Sequence, residues 1–105
     1  MPQFAVHRNR NEATRARFPL LLDVQSDLLE PLNTRVVVPL SPATQARTRV
    51  MDQLTPSLSV SGKDYVMMTP QLAGISAREL GPVVEVLSSA RGTIIAALDL
   101  LITGV

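Results

Sequence analysis

Cysteine and tryptophan are both absent from this chain of 105 residues, which has only one histidine, His7, and three aromatic residues. Without cysteine there is no disulfide, thiolate metal site or cysteine nucleophile, and one histidine excludes zinc or copper sites built from several. The lack of cysteine favours a cytoplasmic protein. Because aromatic side chains are so few, the core must be built from leucine, valine, isoleucine and methionine.

Long hydrophobic runs are missing as well. The first residues lack the basic and apolar regions of a signal peptide, and the most apolar run, residues 94–102, contains Asp99. A membrane-spanning helix needs about twenty apolar residues, so we expect a soluble protein without membrane contact. The length and the globular composition predict one domain over residues 1–105.

Positive charge is concentrated at the N-terminus. Residues 1–17 carry four arginines and one glutamate, whereas residues 18–105 carry six basic and eight acidic groups. A solvated loop is the simpler interpretation of the basic segment, and contact with phosphate or an acidic partner is the alternative. The arginines are Arg8, Arg10, Arg15 and Arg17.

Five short segments have the alternation or the β-branched content of strands. The clearest pair forms a hairpin, in which Gly62-Lys63-Asp64 turns the chain. Pro39 has no amide to donate and is expected to end the third strand, and residues 7–17 lack periodicity and predict a loop. The predicted strands cover residues 3–6, 20–25, 35–38, 57–61 and 65–69.

The pattern becomes helical from Ser88 onward, where Ser88 or Ser89 can cap the first turn. Apolar residues cover more than half of the circumference of this helix, whereas packing on one core needs a stripe of about 100°. The excess favours a homodimer, in which a second subunit covers Leu98 and Leu101. Strands followed by a helix predict a mainly β fold, a small antiparallel barrel or curled sheet with a C-terminal α-helix.

Catalytic patterns are scarce. Asp23 and Asp27 lie four residues apart, but strand periodicity does not direct them to one site, so a pair of acid and base carboxylates is not supported. His7 has no serine or cysteine nucleophile nearby. There is no glycine-rich phosphate loop. The sequence therefore predicts no catalytic residue, cofactor or metal, which favours a binding protein over an enzyme.

Several strings in the sequence are more specific than these patterns. In chain order they are Gln3-Phe4-x-Val6, Asp23-Val24-Gln25-Ser26-Asp27-Leu28-Leu29, Arg35-Val36-Val37-Val38-Pro39-Leu40, Met67-Met68-Thr69, Leu72-Ala73 and a helix that ends in Gly104-Val105. Over essentially the whole chain they resemble the CcdB family of toxins from bacterial toxin–antitoxin modules, which occur on plasmids and chromosomes.

The resemblance implies a homodimer of SH3-like barrels, each with a small extra sheet and a C-terminal helix. It also implies a toxin that binds the A subunit of DNA gyrase and traps the enzyme on cleaved DNA without chemistry of its own. A cognate CcdA-like antitoxin would neutralise the toxin. The complex would repress its own operon, with the operator DNA contacted by the antitoxin.

The gyrase-binding positions of the family carry over to two aliphatic residues, one polar helix position and the last four residues. The chain departs from the gyrase poisons at Thr103, where they have tryptophan, and at Asp99, where they have asparagine. An interfacial tryptophan buries roughly 200 Å², so weaker gyrase binding is expected. The carried-over positions are Leu28, Leu29, Asp99, Ile102, Thr103, Gly104 and Val105.

Two other functions stay open. A MazF-type endoribonuclease toxin shares the barrel fold. It would need an RNA groove with an acid or base residue, and only the loop from Arg8 to Arg17 is suitably basic. A non-toxic relative could instead serve as an antitoxin partner and co-repressor.

Overall fold

The computed structural model describes residues 2–44 and 53–104. Its strands form one antiparallel sheet in the order β4-β5-β3-β2-β1-β7, and β6 pairs with the first half of β3. The mainly β fold with a C-terminal helix is confirmed. The elements are β1 (Ala5–Asn9), β2 (Leu20–Asp23), β3 (Thr34–Pro42), β4 (Ser57–Val60), β5 (Lys63–Met67), β6 (Ala73–Ser76), β7 (Leu80–Val86) and the helix α1 (Arg91–Thr103).

The sheet curls until its two ends approach each other. The backbone amide of Ser61, in the turn between β4 and β5, donates to Glu85 Oε1 on β7 at 3.3 Å, although β4 and β7 stand at opposite ends of the strand order. Curling encloses one face of the sheet, and α1 covers the opening with Ile94 and Ala97, both fully buried. This inner face holds the main core, which also contains Phe4, Val6, Leu20, Leu22, Val24, Val38, Leu40, Leu58, Val60, Met67 and Leu87.

The outer face of the sheet is also covered. Side chains alternate along a strand, so Leu21 and Asp23 point away from the main core that Leu20 and Leu22 enter, and all four are buried. Leu21, Val37 and Leu80 form a second apolar cluster on this face. Because both faces of β2 and β3 are buried, polar groups on the outer face are held in fixed surroundings.

Several predicted boundaries differ from the structure. β1 begins at Ala5 and continues to Asn9, so the first strand is shifted into the predicted loop. Pro39 does not end β3, which runs to Pro42; the carbonyl of Pro39 still accepts a hydrogen bond from the Met68 amide at 3.0 Å. Pro39 therefore contributes to the sheet without an amide of its own.

The hairpin is confirmed, but its turn is shorter than predicted. Val60 pairs with Lys63, which leaves Ser61 and Gly62 as the two turn residues, with φ of 51° and 80°. Positive φ at both positions is the type I′ geometry that matches the twist of paired strands. Lys63 and Asp64, predicted as turn residues, belong to β5.

The helix begins at Arg91 rather than at Ser88. Residues 88–90 form a 3₁₀ turn, and the N-cap residue Ala90 has no side-chain hydrogen bond. The prediction that Ser88 or Ser89 caps the helix is therefore wrong. At the other end, Gly104 closes the helix in the left-handed conformation, with φ of 74°, and donates to the carbonyl of Leu100.

Candidate functional site

A buried ion pair lies on the outer face of the sheet. Nε and Nη2 of Arg35 donate to Oδ2 of Asp23 at 2.8 and 2.7 Å, and the two side chains are 1% and 0% exposed. The other carboxylate oxygen of Asp23 accepts from the Gln25 amide at 3.0 Å. Asp27 is instead exposed and accepts from the Gln3 amide. The two carboxylates thus serve separate structural contacts, in line with the prediction that they do not form an acid–base pair.

The basic loop after β1 is held by its own asparagines. Asn9 is buried and donates to Thr14 Oγ1 at 3.0 Å and to the carbonyl of Phe18 at 2.9 Å. Oδ1 of Asn9 accepts from the Asn11 amide, and Oδ1 of Asn11 accepts from the Ala13 amide, both at 2.9 Å. Asparagine favours such local bonds to nearby backbone. The loop therefore has a defined shape that does not depend on its arginines.

A pocket of about 220 Å³ lies between this loop, the outer face of the sheet and the segment that joins β6 to β7. Its apolar wall is continuous with the outer apolar cluster, while its polar wall comes from the loop, from Gln71 and from Glu79. The lining residues are Asn9, Asn11, Thr14, Phe18, Leu21, Val37, Pro39, Gln71, Ala73, Ile75 and Glu79.

Glu79 is the acidic residue of this pocket. It is half-buried in the 3₁₀ turn before β7, and its Oε1 accepts from Nδ2 of Asn11 at 2.7 Å. Its backbone carbonyl accepts from the Arg10 amide at 3.0 Å. These two bonds fix the carboxylate against the basic loop, and the second oxygen, Oε2, receives no hydrogen bond from residues 2–44 or 53–104.

Three arginines extend from the loop that forms the polar wall. Arg10, Arg15 and Arg17 are all exposed, and the guanidinium of Arg17 lies 4.9 Å from the centre of the Phe18 ring. A cation over an aromatic face is attracted by the ring and loses some freedom. The arrangement places one fixed carboxylate beside a positively charged loop, which suits a ligand that carries phosphate groups and a hydroxyl to be deprotonated.

The expected gyrase contacts lie in two other elements. Leu28 and Leu29 form part of a 3₁₀ turn after β2, where their exposed fractions are 90% and 47%. The turn is capped by the side chain of Ser26, which accepts from the Leu28 amide. Two exposed leucines on a well-formed turn make an apolar surface available to a partner.

The remaining carried-over residues stand at the end of α1. Asp99, Ile102, Thr103 and Gly104 are all exposed, and Ile102 is 75% exposed. The hydroxyl of Thr103 donates to the carbonyl of Asp99 at 2.7 Å, so it is satisfied within the helix. Val105 lies outside the described residues.

His7 is a structural residue in this fold. It is 2% exposed, and its Nδ1 lies 2.9 Å from the carbonyl oxygen of Gly81 on β7. Its Nε2 is buried without a hydrogen-bond partner among the described residues. Because it is enclosed between neighbouring strands, His7 does not line the pocket around Glu79.

Metal-ligand clusters and membrane-spanning helices are both absent from the part of the chain that the structure describes. Residues 2–44 and 53–104 contain no group of three histidine, aspartate or glutamate side chains placed to hold a metal ion. In the same ranges, no helix has the length and apolar character needed to cross a membrane. A cytoplasmic location stays a prediction.

The curled sheet closed by a terminal helix defines a class of small β folds for which solved structures exist. One is an endoribonuclease in complex with its cognate antitoxin from a mycobacterial species, with a TM-score of 0.76 and 20% identity over 98% of this chain and 95% of that chain. Another is an endoribonuclease from a mycobacterial species, with a TM-score of 0.71 and 17% identity over 98% and 91%.

The family model described as CcdB protein matches residues 3–104. The chain therefore belongs to the CcdB family, and the resemblance seen in the sequence is confirmed. The expectation of a protein without enzymatic activity is corrected, because the two solved chains that share its fold are named endoribonucleases. The sequence left an endoribonuclease toxin open as an alternative but did not identify Glu79, because this residue lies far along the chain from the basic loop.

Proposed function

We propose that this chain is the toxin of a toxin–antitoxin module and that it cleaves single-stranded RNA in the pocket around Glu79. The observation that carries the proposal is the fixed Glu79 carboxylate in a pocket whose polar wall belongs to the arginine-rich loop. The family membership and the names of the structural neighbours support a toxin with a cognate antitoxin. A duplex keeps its bases stacked, so a pocket of this kind fits an unpaired strand.

Glu79 acts as the general base in this proposal. Oε2 accepts the proton of a ribose 2′-hydroxyl, the 2′-oxygen attacks the adjacent phosphorus, and the 5′-oxygen of the next nucleotide leaves and takes a proton from water. The products are a 2′,3′-cyclic phosphate and a 5′-hydroxyl. Arg10, Arg15 and Arg17 neutralise the phosphates, since guanidinium groups bind phosphate oxygens in pairs.

The test is cleavage of an end-labelled single-stranded RNA by the purified protein. Glu79→Gln keeps an oxygen for Asn11 but cannot accept the proton, so cleavage should fall by about 10²–10⁴-fold. Glu85→Gln is the matched control, because Glu85 also accepts one hydrogen bond but lies outside the pocket. Unchanged cleavage in folded Glu79→Gln, or no cleavage by the natural protein, would refute the assignment.

The same proposal includes a homodimer and a neutralising antitoxin that supplies the contact with operator DNA. The exposed apolar surface of α1 supports the homodimer: Leu98 is partly exposed and Leu101 is 37% exposed. A second subunit that covered them would remove this surface from water at about 25 cal/mol per Å².

Binding to the A subunit of DNA gyrase is a second candidate function. The exposure of Leu28 and Ile102, two carried-over gyrase contacts, favours it. The test is calorimetry of gyrase A with Thr103→Trp, alone and with Asp99→Asn. Both positions are exposed, so neither change needs repacking, and a gain of about 2 kcal/mol would tighten the Kd about thirtyfold. No gain in a folded variant would remove this candidate.

A further inference from the structure

A second concave site lies where the two ends of the curled sheet approach each other. This cleft, of about 180 Å³, is bordered by β1, β7 and the β4–β5 hairpin. Its apolar floor consists of Leu20, Val60 and Val84. Pockets that enclose drug-sized ligands measure about 300–1,000 Å³, so this cleft fits a smaller group. It shares no lining residue with the pocket around Glu79.

Two cations border the cleft. Arg8 on β1 and Lys63 on β5 are both exposed, and neither forms a salt bridge with a residue in the described part of the chain. Two like charges beside one apolar floor repel each other, and an anion between them would reverse the sign of this interaction. The nearby carboxylate of Glu85 is engaged by the Ser61 amide, and the cations outnumber it.

Neutral donors complete the cleft. Tyr65 lines it with its ring partly packed on the main core, and Ser61 lines it from the turn. At φ of 51°, glycine, asparagine or aspartate is the usual residue of such a turn. Ser61 adopts this unfavourable conformation, and its hydroxyl lies in the same cleft as the two cations.

We propose that this cleft binds a phosphate group, held by the guanidinium of Arg8 and the ammonium of Lys63. Arginine and lysine donors to phosphate oxygens form short, charge-assisted hydrogen bonds. The phosphate belongs to a free nucleotide or to the backbone of RNA, and these two sources share the chemistry that the cleft recognises. The site is independent of RNA cleavage at Glu79, so either assignment can fail alone.

Tyr65 makes the test specific to the cleft. It is the only tyrosine in a chain without tryptophan, so tyrosine emission reports on this site alone. Inorganic pyrophosphate, which does not absorb near 280 nm, is titrated into the full-length protein at constant ionic strength. We expect a saturable change in emission. Arg8→Gln and Lys63→Gln should each raise the Kd for pyrophosphate about tenfold or more.

Arg91→Gln is the matched control, because Arg91 is an exposed arginine on α1 outside the cleft. An emission that does not saturate, or a Kd that Arg8→Gln and Lys63→Gln leave unchanged while circular dichroism shows folded protein, would overturn the proposal. The two sources are separated with a labelled 2′-O-methyl RNA, which cannot be cleaved. Competition between pyrophosphate and this RNA, lost in Lys63→Gln, assigns the site to RNA; saturable pyrophosphate binding without competition assigns it to a free phosphate group.

Discussion

Replacement of Asp23 by asparagine tests how strongly the outer face of the sheet depends on its ion pair. The substitution keeps Oδ1, which accepts from the Gln25 amide, but removes the charge opposite Arg35. Both side chains are at most 1% exposed, so water cannot replace the carboxylate. Breaking a buried pair from one side costs about 3–5 kcal/mol, whereas domains of this size have a total stability of about 5–15 kcal/mol.

The expected loss is measured by thermal unfolding followed by far-ultraviolet circular dichroism. In a domain of about 100 residues, each kcal/mol shifts the Tm by about 4 °C or more, so Asp23→Asn should lower it by about 12 °C or more. Asp27→Asn is the control, because this exposed carboxylate also accepts one backbone hydrogen bond. Removal of its charge should lower the free energy of unfolding by under about 1 kcal/mol.

A double substitution shows whether the penalty comes from the unpaired charge. Asp23→Leu with Arg35→Met replaces the pair by apolar groups, and it should be less destabilising than the sum of the single changes. Equal stabilities of Asp23→Asn and Asp27→Asn, or strict additivity in the double variant, would refute the view that charge pairing holds this face.

Other consequences can be checked separately. Gly81→Ala would place a Cβ 2.8 Å from the carbonyl oxygen of Arg8; a loss of about 1–3 kcal/mol is expected in thermal unfolding, and a neutral result would mean that β1 and β7 can separate there. Leu101→Asp should convert a dimer into monomers in sedimentation velocity, and a natural protein that is monomeric at micromolar concentration would contradict the homodimer. Arg15→Gln and Arg17→Gln should each reduce the salt dependence of RNA binding by about one phosphate contact, whereas unchanged slopes would place the RNA elsewhere.

The local sequence pattern predicted the elements whose residues have the alternation or propensity typical of the structure they form. The hairpin alternates clearly, and the strand with three successive valines was placed near its true position. β6 and β7 were not predicted, because Gly74, Gly81 and Pro82 indicate irregular chain. β7 can contain Gly81 and Pro82 because it is an edge strand, which among the described strands pairs only with β1 and can leave a proline without a ladder partner. The missing helix cap has a similar cause, since residues 88–90 form a 3₁₀ turn instead.

The pocket around Glu79 could not be predicted from spacing. Asn11, Val37 and Glu79 reach it from distant parts of the chain, and the pairing of β1 with β7, in which Asn9 lies opposite Leu80, brings Glu79 beside the loop. The sequence did identify the basic segment and the need for an acid or base residue in an RNA groove. The sequence alone did not show the strand pairing that places the carboxylate of Glu79 beside the N-terminal loop.

The pairing of β1 with β7 has a consequence for synthesis on the ribosome. Ala5 pairs with Val86, and the helix that closes the core follows β7. One edge of β1 can pair with β2 early, but its other edge stays unpaired until nearly the last strand has emerged. Folds with such distant pairings form slowly. The nascent chain therefore cannot complete its core, or the wall of the pocket that carries Glu79, until residues as far as Ala97 are free. Under the proposed toxin function, this leaves an interval between translation and activity, during which a newly made antitoxin can meet an unfinished toxin.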